Sequence, residues 1–196
     1  MALRLVEAAK NAAADAVAAL IDYISLADGP ASTDELVVAR QGVTWTGADN
    51  GVAPMVGTEA FADVPAGADV AFVQFWSLDA AGTYYGCVPA GSLAPVPFTC
   101  EADTDVFTAD EHGLVDTHTV VVFDTLGAVL PTGVTEGTIY YVRDATTDTF
   151  KLALTSGGDA INISADGAGF VQTVTIEHFT AAGTYTVSAL SLDMNL

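Results

Sequence analysis

Between Leu3 and Leu26 apolar residues recur at three- and four-residue steps: Leu5, Ala9, Ala12, Ala16, Leu20, then Tyr23 or Ile24. That period is one helix face, and it predicts a helix across the segment. Alanine dominates the stripe, which gives high helix propensity but little side-chain area to bury. So thin a helix must lie close against a sheet or another helix. Asp28-Gly29-Pro30 supplies the stop, with a glycine able to take the left-handed cap and a proline unable to continue. The stripe reads either as plain packing or as an assembly contact through Ala9, Ala12 and Ala16.

After Pro30 the pattern changes to short strands and turns. Leu36 to Trp45 is rich in Val and Thr, and Gly47-Ala48-Asp49-Asn50-Gly51 is a loop. From Asp69 to Leu78 both parities are apolar, Val70, Phe72, Trp76 and Leu78 against Ala71, Val73 and Phe75. Such a strand needs cover on both faces, which the helix and a second sheet would provide. Asp79-Ala80-Ala81-Gly82 has hairpin-turn length and leads into Thr83 to Val88. Pro89, Pro95 and Pro97 confine the next segment to edge or linker roles.

Residues 100–178 read as a separate unit. Val120 to Phe123 is a compact apolar strand, followed by a loop through Gly127, Pro131 and Gly133. Thr138 to Arg143 is an aromatic strand, and Asp144 to Asp148 turns the chain into Thr149 to Leu154, where Phe150, Leu152 and Leu154 alternate with polar or small residues. Ile161 and Ile163 form a short strand, and Phe170, Val174 and Ile176 mark the last. Short strands between Gly, Asp and Thr turns predict a small barrel or sandwich.

Phe98-Thr99 closes the first block and Phe179-Thr180 opens the last, with Gly183 to Leu192 reading as one more strand, bulged near Ala189. The expected architecture is therefore mainly β. An N-terminal helix packs on an antiparallel β-sandwich built from residues 1–99 and 179–196, with a second small β domain, residues 100–178, inserted between two of its strands.

Charge narrows the function. The 196 residues are 51% hydrophobic, enough for a real core, and carry 25 acidic against 5 basic side chains, a formal net charge of −20. That balance argues against nucleic acid, which needs clustered Lys and Arg, and against an anionic membrane surface. Residues 100–178 hold 13 acidic and 2 basic residues and the remainder 12 and 3, so neither part is an electrostatic adaptor for the other. Arg4, Glu7, Lys10, Asp15 and Asp22 interrupt the N-terminal stretch, so no export signal or membrane span is expected there, and the protein is expected in the cytoplasm or in an assembly built there. Cys87 and Cys100 are too few for a disulfide framework or a zinc site; they read as two small buried side chains or as one pair.

Candidate chemistry is sparse. His112, His118 and His178 read as ordinary loop or surface histidines without metal-ligand spacing. No nucleophile elbow, phosphate loop or His-Glu-x-x-His helix is present. Asp103 with Asp105, Asp110 with Glu111, and Asp144 with Asp148 are formal acid/base pairs, but they fall at turns, where aspartates bond their own backbone. The Asp-rich loops lack the spacing of a dedicated calcium loop, although binding of Ca²⁺ in a particle stays open. No catalytic residue, cofactor or metal ligand is assigned. Trp45, beside the Gly47 loop, is a candidate assembly contact, and Tyr84, Tyr85, Tyr140 and Tyr141 are the aromatics available to a surface patch.

One string carries a resemblance: Val121-Val122-Phe123, Gly127, Leu130-Pro131-Thr132-Gly133-Val134-Thr135-Glu136-Gly137-Thr138-Ile139-Tyr140-Tyr141-Val142 and Ala145-Thr146-Thr147-Asp148-Thr149-Phe150-Lys151-Leu152. It closely resembles a β module that recurs in tail, fibre and other virion proteins of tailed bacteriophages, over roughly residues 105–176. The Ala/Asp-rich start, Asn11 to Asp22, and the ending Gly183-Thr184-Tyr185-Thr186-Val187 are similar to small structural proteins of actinobacterial phages, whereas Ser32 to Gly82 departs from that pattern. The resemblance implies a non-enzymatic virion component, a minor tail protein first and a capsid decoration or head-fibre protein second. Other virion proteins are the expected partners, with self-association as a further arrangement. A host-glycan-binding receptor module is the third reading.

Overall fold

A computed structural model describes residues 6–91, 94–123 and 129–195. Leu5 of the apolar stripe and Gly127 of the expected loop lie outside the described residues. The protein is mainly β and divides into two compact units, Met1–Cys87 with Glu177–Leu196, and Val88–Ile176.

In the first unit the helix is shorter than its periodicity predicts. α1 runs Glu7–Ala18, and strand β1, Tyr23–Ala27, follows at once. Ile24, Ser25, Leu26 and Ala27 are all buried. A helix would hide only one face of such a run, whereas a central strand hides both, and tertiary burial overrides the helical period here. Asp28-Gly29-Pro30 ends this strand and not a helix. The buried line of α1 is Ala14 and Ala18; Ala12, Ala16 and Leu20 are exposed, and Ala9 is half-buried.

A 3₁₀ turn, Ser32–Asp34, and β2, Gln41–Gly42, precede β3, Val52–Pro54, β4, Glu59–Val64, and β5, Asp69–Val70. β6 is Phe72–Trp76 and β7 is Tyr84–Pro89. One sheet has the order β2-β1-β6-β7. All five residues of β6 are buried, in agreement with its two apolar parities. The polar members of this layer satisfy one another: Trp76 Nε1–H donates to Ser25 Oγ at 2.9 Å, Ser25 Oγ–H donates to Gln74 Oε1 at 3.3 Å, and Gln74 Nε2 donates to the Ala31 carbonyl at 2.7 Å. A fully paired chain of this kind removes the penalty of burying it.

The Val/Thr-rich segment after Leu36 forms little strand. Glu35 bridges to Ala27 and Gln41 pairs with Ile24, so four residues, 37–40, swing out from the sheet edge, with Val37 97% exposed at the tip. An outward bulge blocks edge-to-edge pairing along that side.

The second unit is a closed barrel of β8, Val96–Glu101, β9, Val106–Thr108, β10, Thr119–Phe123, β11, Ile139–Arg143, β12, Thr149–Ala153, and β13, Gly167–Thr173. The order is β10-β11-β12-β9-β8-β13, with β13 returning to β10. Closure gives each of the six strands a neighbour on both sides. Phe107 stacks on Phe150 and meets Phe98 edge-on, both at 5.2 Å. Leu114, Val120, Val122, Val142, Leu152 and Val171 fill the rest of this core.

Two expectations change here. Phe98-Thr99 belongs to the barrel, not to the outer block, because β8 pairs with both β9 and β13. Pro97 lies in the part of β8 that pairs with β13 alone, β9 reaching only as far as Thr99. Ile161 and Ile163 form no strand; Ile163 is buried as part of a loop.

The chain returns through β14, Glu177–His178, β15, Gly183–Val187, and β16, Ser191–Asp193. These pair with β5, β4 and β3 respectively. The single bulged strand expected from Gly183 to Leu192 is therefore two strands with different partners. α1 packs on β3 and β16.

Candidate functional site

Aspartates at turns organise both ends of the barrel. At one end Asp105 Oδ1 accepts the Ile163 N–H at 2.7 Å while Asp166 Oδ1 accepts the Ala102 N–H at 2.9 Å. At the other, Asp148 Oδ1 accepts the Glu111 N–H at 3.0 Å and Asp116 Oδ1 accepts the Ala145 N–H at 2.8 Å. Each end thus has two loops stapled reciprocally. Turn chemistry predicts carboxylates bonded to their own turns; instead these reach backbone 29 to 64 residues away. Of the formal acid/base pairs, Asp105 and Asp148 hold loops, and Asp144 lies against Arg143 at 3.3 Å. Among the described residues no three His, Cys, Asp or Glu side chains converge as a metal site.

His112 is buried, not a surface histidine. Its Nδ1 accepts the Leu114 N–H at 2.9 Å, which leaves Nε2 to carry the proton toward the Thr149 carbonyl at 3.3 Å, and its ring meets Phe150 edge-on at 5.1 Å. Sequence spacing carries no signal of this role. His118 Nδ1 accepts the Val115 N–H at 3.4 Å, and exposed His178 pairs with Asp69 at 2.6 Å. Beside His118, Thr117 holds φ 75°, the one β-branched residue at positive φ among those described. A conformation of that kind costs of order 1–3 kcal/mol.

Neither cysteine is in a disulfide; Cys87 and Cys100 fall in different units. Burial pushes the Cys100 thiol up to about 12, with the charges of Asp105, Asp166 and Glu101 adding to it. The small-buried reading holds for Cys100, whereas Cys87 is half-buried against Tyr84.

The four tyrosines do not make one patch. Tyr140 is buried and its hydroxyl accepts the Thr135 N–H at 2.7 Å; Tyr141 is half-buried on the next register position. Tyr84 donates to the Pro30 carbonyl and its ring lies 5.1 Å from Trp76; desolvation first, then Cys87, raises its hydroxyl above the ordinary tyrosine range. Only Tyr85 is exposed. Trp45 is half-buried as well, its Nε1–H donating to the Ile21 carbonyl at 3.0 Å and its ring 6.4 Å from Phe75. It is anchored from within, so a free docking side chain is not what the fold presents there.

Sequence reasoning missed Arg40. Its guanidinium grips Glu35 through Nε to Oε1 at 2.6 Å and Nη2 to Oε2 at 2.8 Å. Nη1 donates to the carbonyls of Leu78 and Ala81 at 2.9 and 2.7 Å, and the group lies 3.6 Å above the Trp76 ring. A planar five-donor fork suits this task, and its side chain is 8% exposed. In a chain this acidic, one cation fixes both the bulge at 37–40 and the turn at 78–82.

No protein-family model, curated protein or solved structure matches the chain. Among the described residues no helix is long and apolar enough to cross a membrane.

Proposed function

We propose that the protein is a non-enzymatic structural component of a tailed-bacteriophage particle, a minor tail protein whose barrel unit projects outward. The observation that carries this reading is how the phage-like string is used. Its residues 121–152 form successive strands β10, β11 and β12 of one closed barrel, in a unit whose entry and exit are tied by the Thr175 N–H to the Ala90 carbonyl at 2.9 Å. A module with adjacent ends can sit between two strands of a carrier without disturbing it. The aspartates support the same reading, since they are engaged as loop staples and the carboxylates serve turns and hydration.

The carrier unit would hold the attachment role through Ala12 and Ala16, two of the exposed alanines of α1, and the projecting barrel would meet other surfaces. Quantitative mass spectrometry of purified particles, with gold labelling, tests it. A few copies per particle at the tail are expected. Many copies over the shell would instead make it a capsid decoration protein. Absence from particles, or substrate turnover by the isolated chain, would refute the structural role.

A further inference from the structure

Asn50-Gly51 is the one Asn-Gly pair in the chain. Asp49 and Val52 exchange both backbone hydrogen bonds at 3.0 Å, and between them Asn50 and Gly51 hold φ 51° and 79°. This is a two-residue hairpin turn with both central residues left-handed, the geometry that Asn-Gly suits best. Turn chemistry accounts for the two residue types. It does not account for what surrounds them.

Gly51 is buried, and Asn11 Oδ1, on α1, accepts its N–H at 2.6 Å. The Gly51 carbonyl accepts the Met194 N–H at 2.9 Å, and Asn195 Nδ2 donates to the Asn50 carbonyl at 2.8 Å. Lys10 Nζ in turn donates to Asn195 Oδ1 at 2.6 Å. A Cβ at Gly51 would lie 3.0 Å from Lys10 Cβ, so the helix sits directly on the glycine backbone. The Asn50 side chain stays exposed, with Nδ2 donating to Asp49 Oδ2 at 3.3 Å. An asparagine amide beside an unhindered glycine nitrogen is set up to cyclise, and here the helix holds that nitrogen.

We propose that Asn50 is a self-modification site gated by α1. While Asn11 holds the Gly51 N–H, the nitrogen keeps its proton and cannot swing onto the Asn50 side chain. When α1 lifts, the Gly51 nitrogen gives its proton to a solvent base and attacks Asn50 Cγ. The N–Cγ bond forms, the Cγ–Nδ2 bond breaks, and ammonia leaves with a proton from solvent, closing a succinimide. Water then opens the ring, at Cγ to give aspartate or at the Asn50 backbone carbonyl carbon to give isoaspartate. One water is consumed and one ammonia released, with no change of oxidation state.

Isoaspartate routes the backbone through the side chain, one carbon longer, and turns the carbonyl that Asn195 holds into a free carboxylate. Either product adds negative charge beside Asp49. Asp15, which accepts the Ala48 N–H at 2.7 Å, and Asp193, which accepts from Asn195, make the surroundings more acidic still, with Lys10 opposing them. Release of α1 thereby becomes one-way. The inference goes beyond the particle role and does not rest on it, since the chemistry belongs to the isolated chain.

The test is peptide mapping of the full chain at mildly alkaline pH by mass spectrometry, with aspartate and isoaspartate separated chromatographically. The folded chain is expected to convert Asn50 at least about tenfold more slowly than the chain in urea. Asn11→Ala, which frees the Gly51 N–H, is expected to speed conversion in the folded chain about three- to tenfold while barrel amides keep their protection. A series in sub-denaturing urea needs no variant: conversion is expected to rise in proportion to hydrogen exchange at the Gly51 amide. The isoaspartyl chain, refolded, is expected to exchange its α1 amides about tenfold faster than the unmodified chain. Equal conversion in folded and unfolded chains, an unchanged rate in Asn11→Ala, conversion that does not follow Gly51 exchange, or an isoaspartyl chain with native protection of α1 would overturn the proposal.

Discussion

Replacing Asp105 separates the reach of a staple from the charge that it carries. Its carboxylate accepts the Ile163 N–H at 2.7 Å, and its backbone sits at φ 56°. Asparagine tolerates that backbone and keeps an acceptor, so Asp105→Asn loses only the charge assistance, about 0.5–1.5 kcal/mol. Alanine removes the acceptor, about 1.5–3 kcal/mol for a bond to a charged group, and adds about 1–2 kcal/mol for a left-handed residue with no local hydrogen bond. Repulsion within so acidic a unit works the other way. Two charges about 10 Å apart in water cost only about 0.4 kcal/mol, and salt screens this further, so relief of repulsion does not offset the lost staple. Asp105→Ala is therefore expected to destabilise the barrel by about 3 kcal/mol, roughly twice the asparagine effect or more. Both tryptophans, Trp45 and Trp76, lie in the other unit, so a readout within the barrel itself is the one to use. Hydrogen exchange by mass spectrometry on barrel peptides in a urea series reads it directly. Equal losses in the two variants, or a gain in stability for alanine, would refute the staple reasoning.

The same geometry sets three further expectations. A Cβ at Gly169 would lie 2.5 Å from the Phe123 carbonyl oxygen and 3.1 Å from Phe98 Cζ, so Gly169→Ala is expected to prevent barrel closure, seen as loss of slow-exchanging barrel amides; normal protection would contradict it. Arg40→Lys keeps the charge but loses the fork, and is expected to cost about 2 kcal/mol and to redshift tryptophan emission, whereas an unchanged urea midpoint would count against the clamp. The raised Cys100 thiol stays protonated in the fold while an unfolded thiol ionises near its ordinary 9. The stability it contributes is complete below pH 9 and is lost as pH climbs toward about 12. Cys100→Ala is expected to flatten that alkaline decline in a pH series of urea midpoints, and an unaltered slope would exclude the thiol as its source.

Local rules made several elements legible. The alternation of Phe150 and Leu152 fixed strand β12, the two apolar parities around Phe72 to Trp76 called for a strand covered on both faces, and the Asp79 to Gly82 turn was readable from its length. The helix end was not, because Tyr23 to Ala27 satisfies a helical period and a strand equally well until its neighbours are known. His112 and Arg40 were silent for a related reason. Their roles depend on carbonyls and rings that the chain brings from far away, Thr149 and Phe150 for the one and Leu78, Ala81 and Trp76 for the other.

By itself the sequence determined class: hydrophobic periodicity demanded a β-rich interior. Tertiary structure alone decided pairing and use. Strand partners, the closure of six strands on themselves, and the reach of Asp105 or Asp148 across the barrel ends are relations between residues distant along the chain. A one-dimensional pattern records which side chains want burial or a hydrogen bond, and only the folded chain says which partner each one meets.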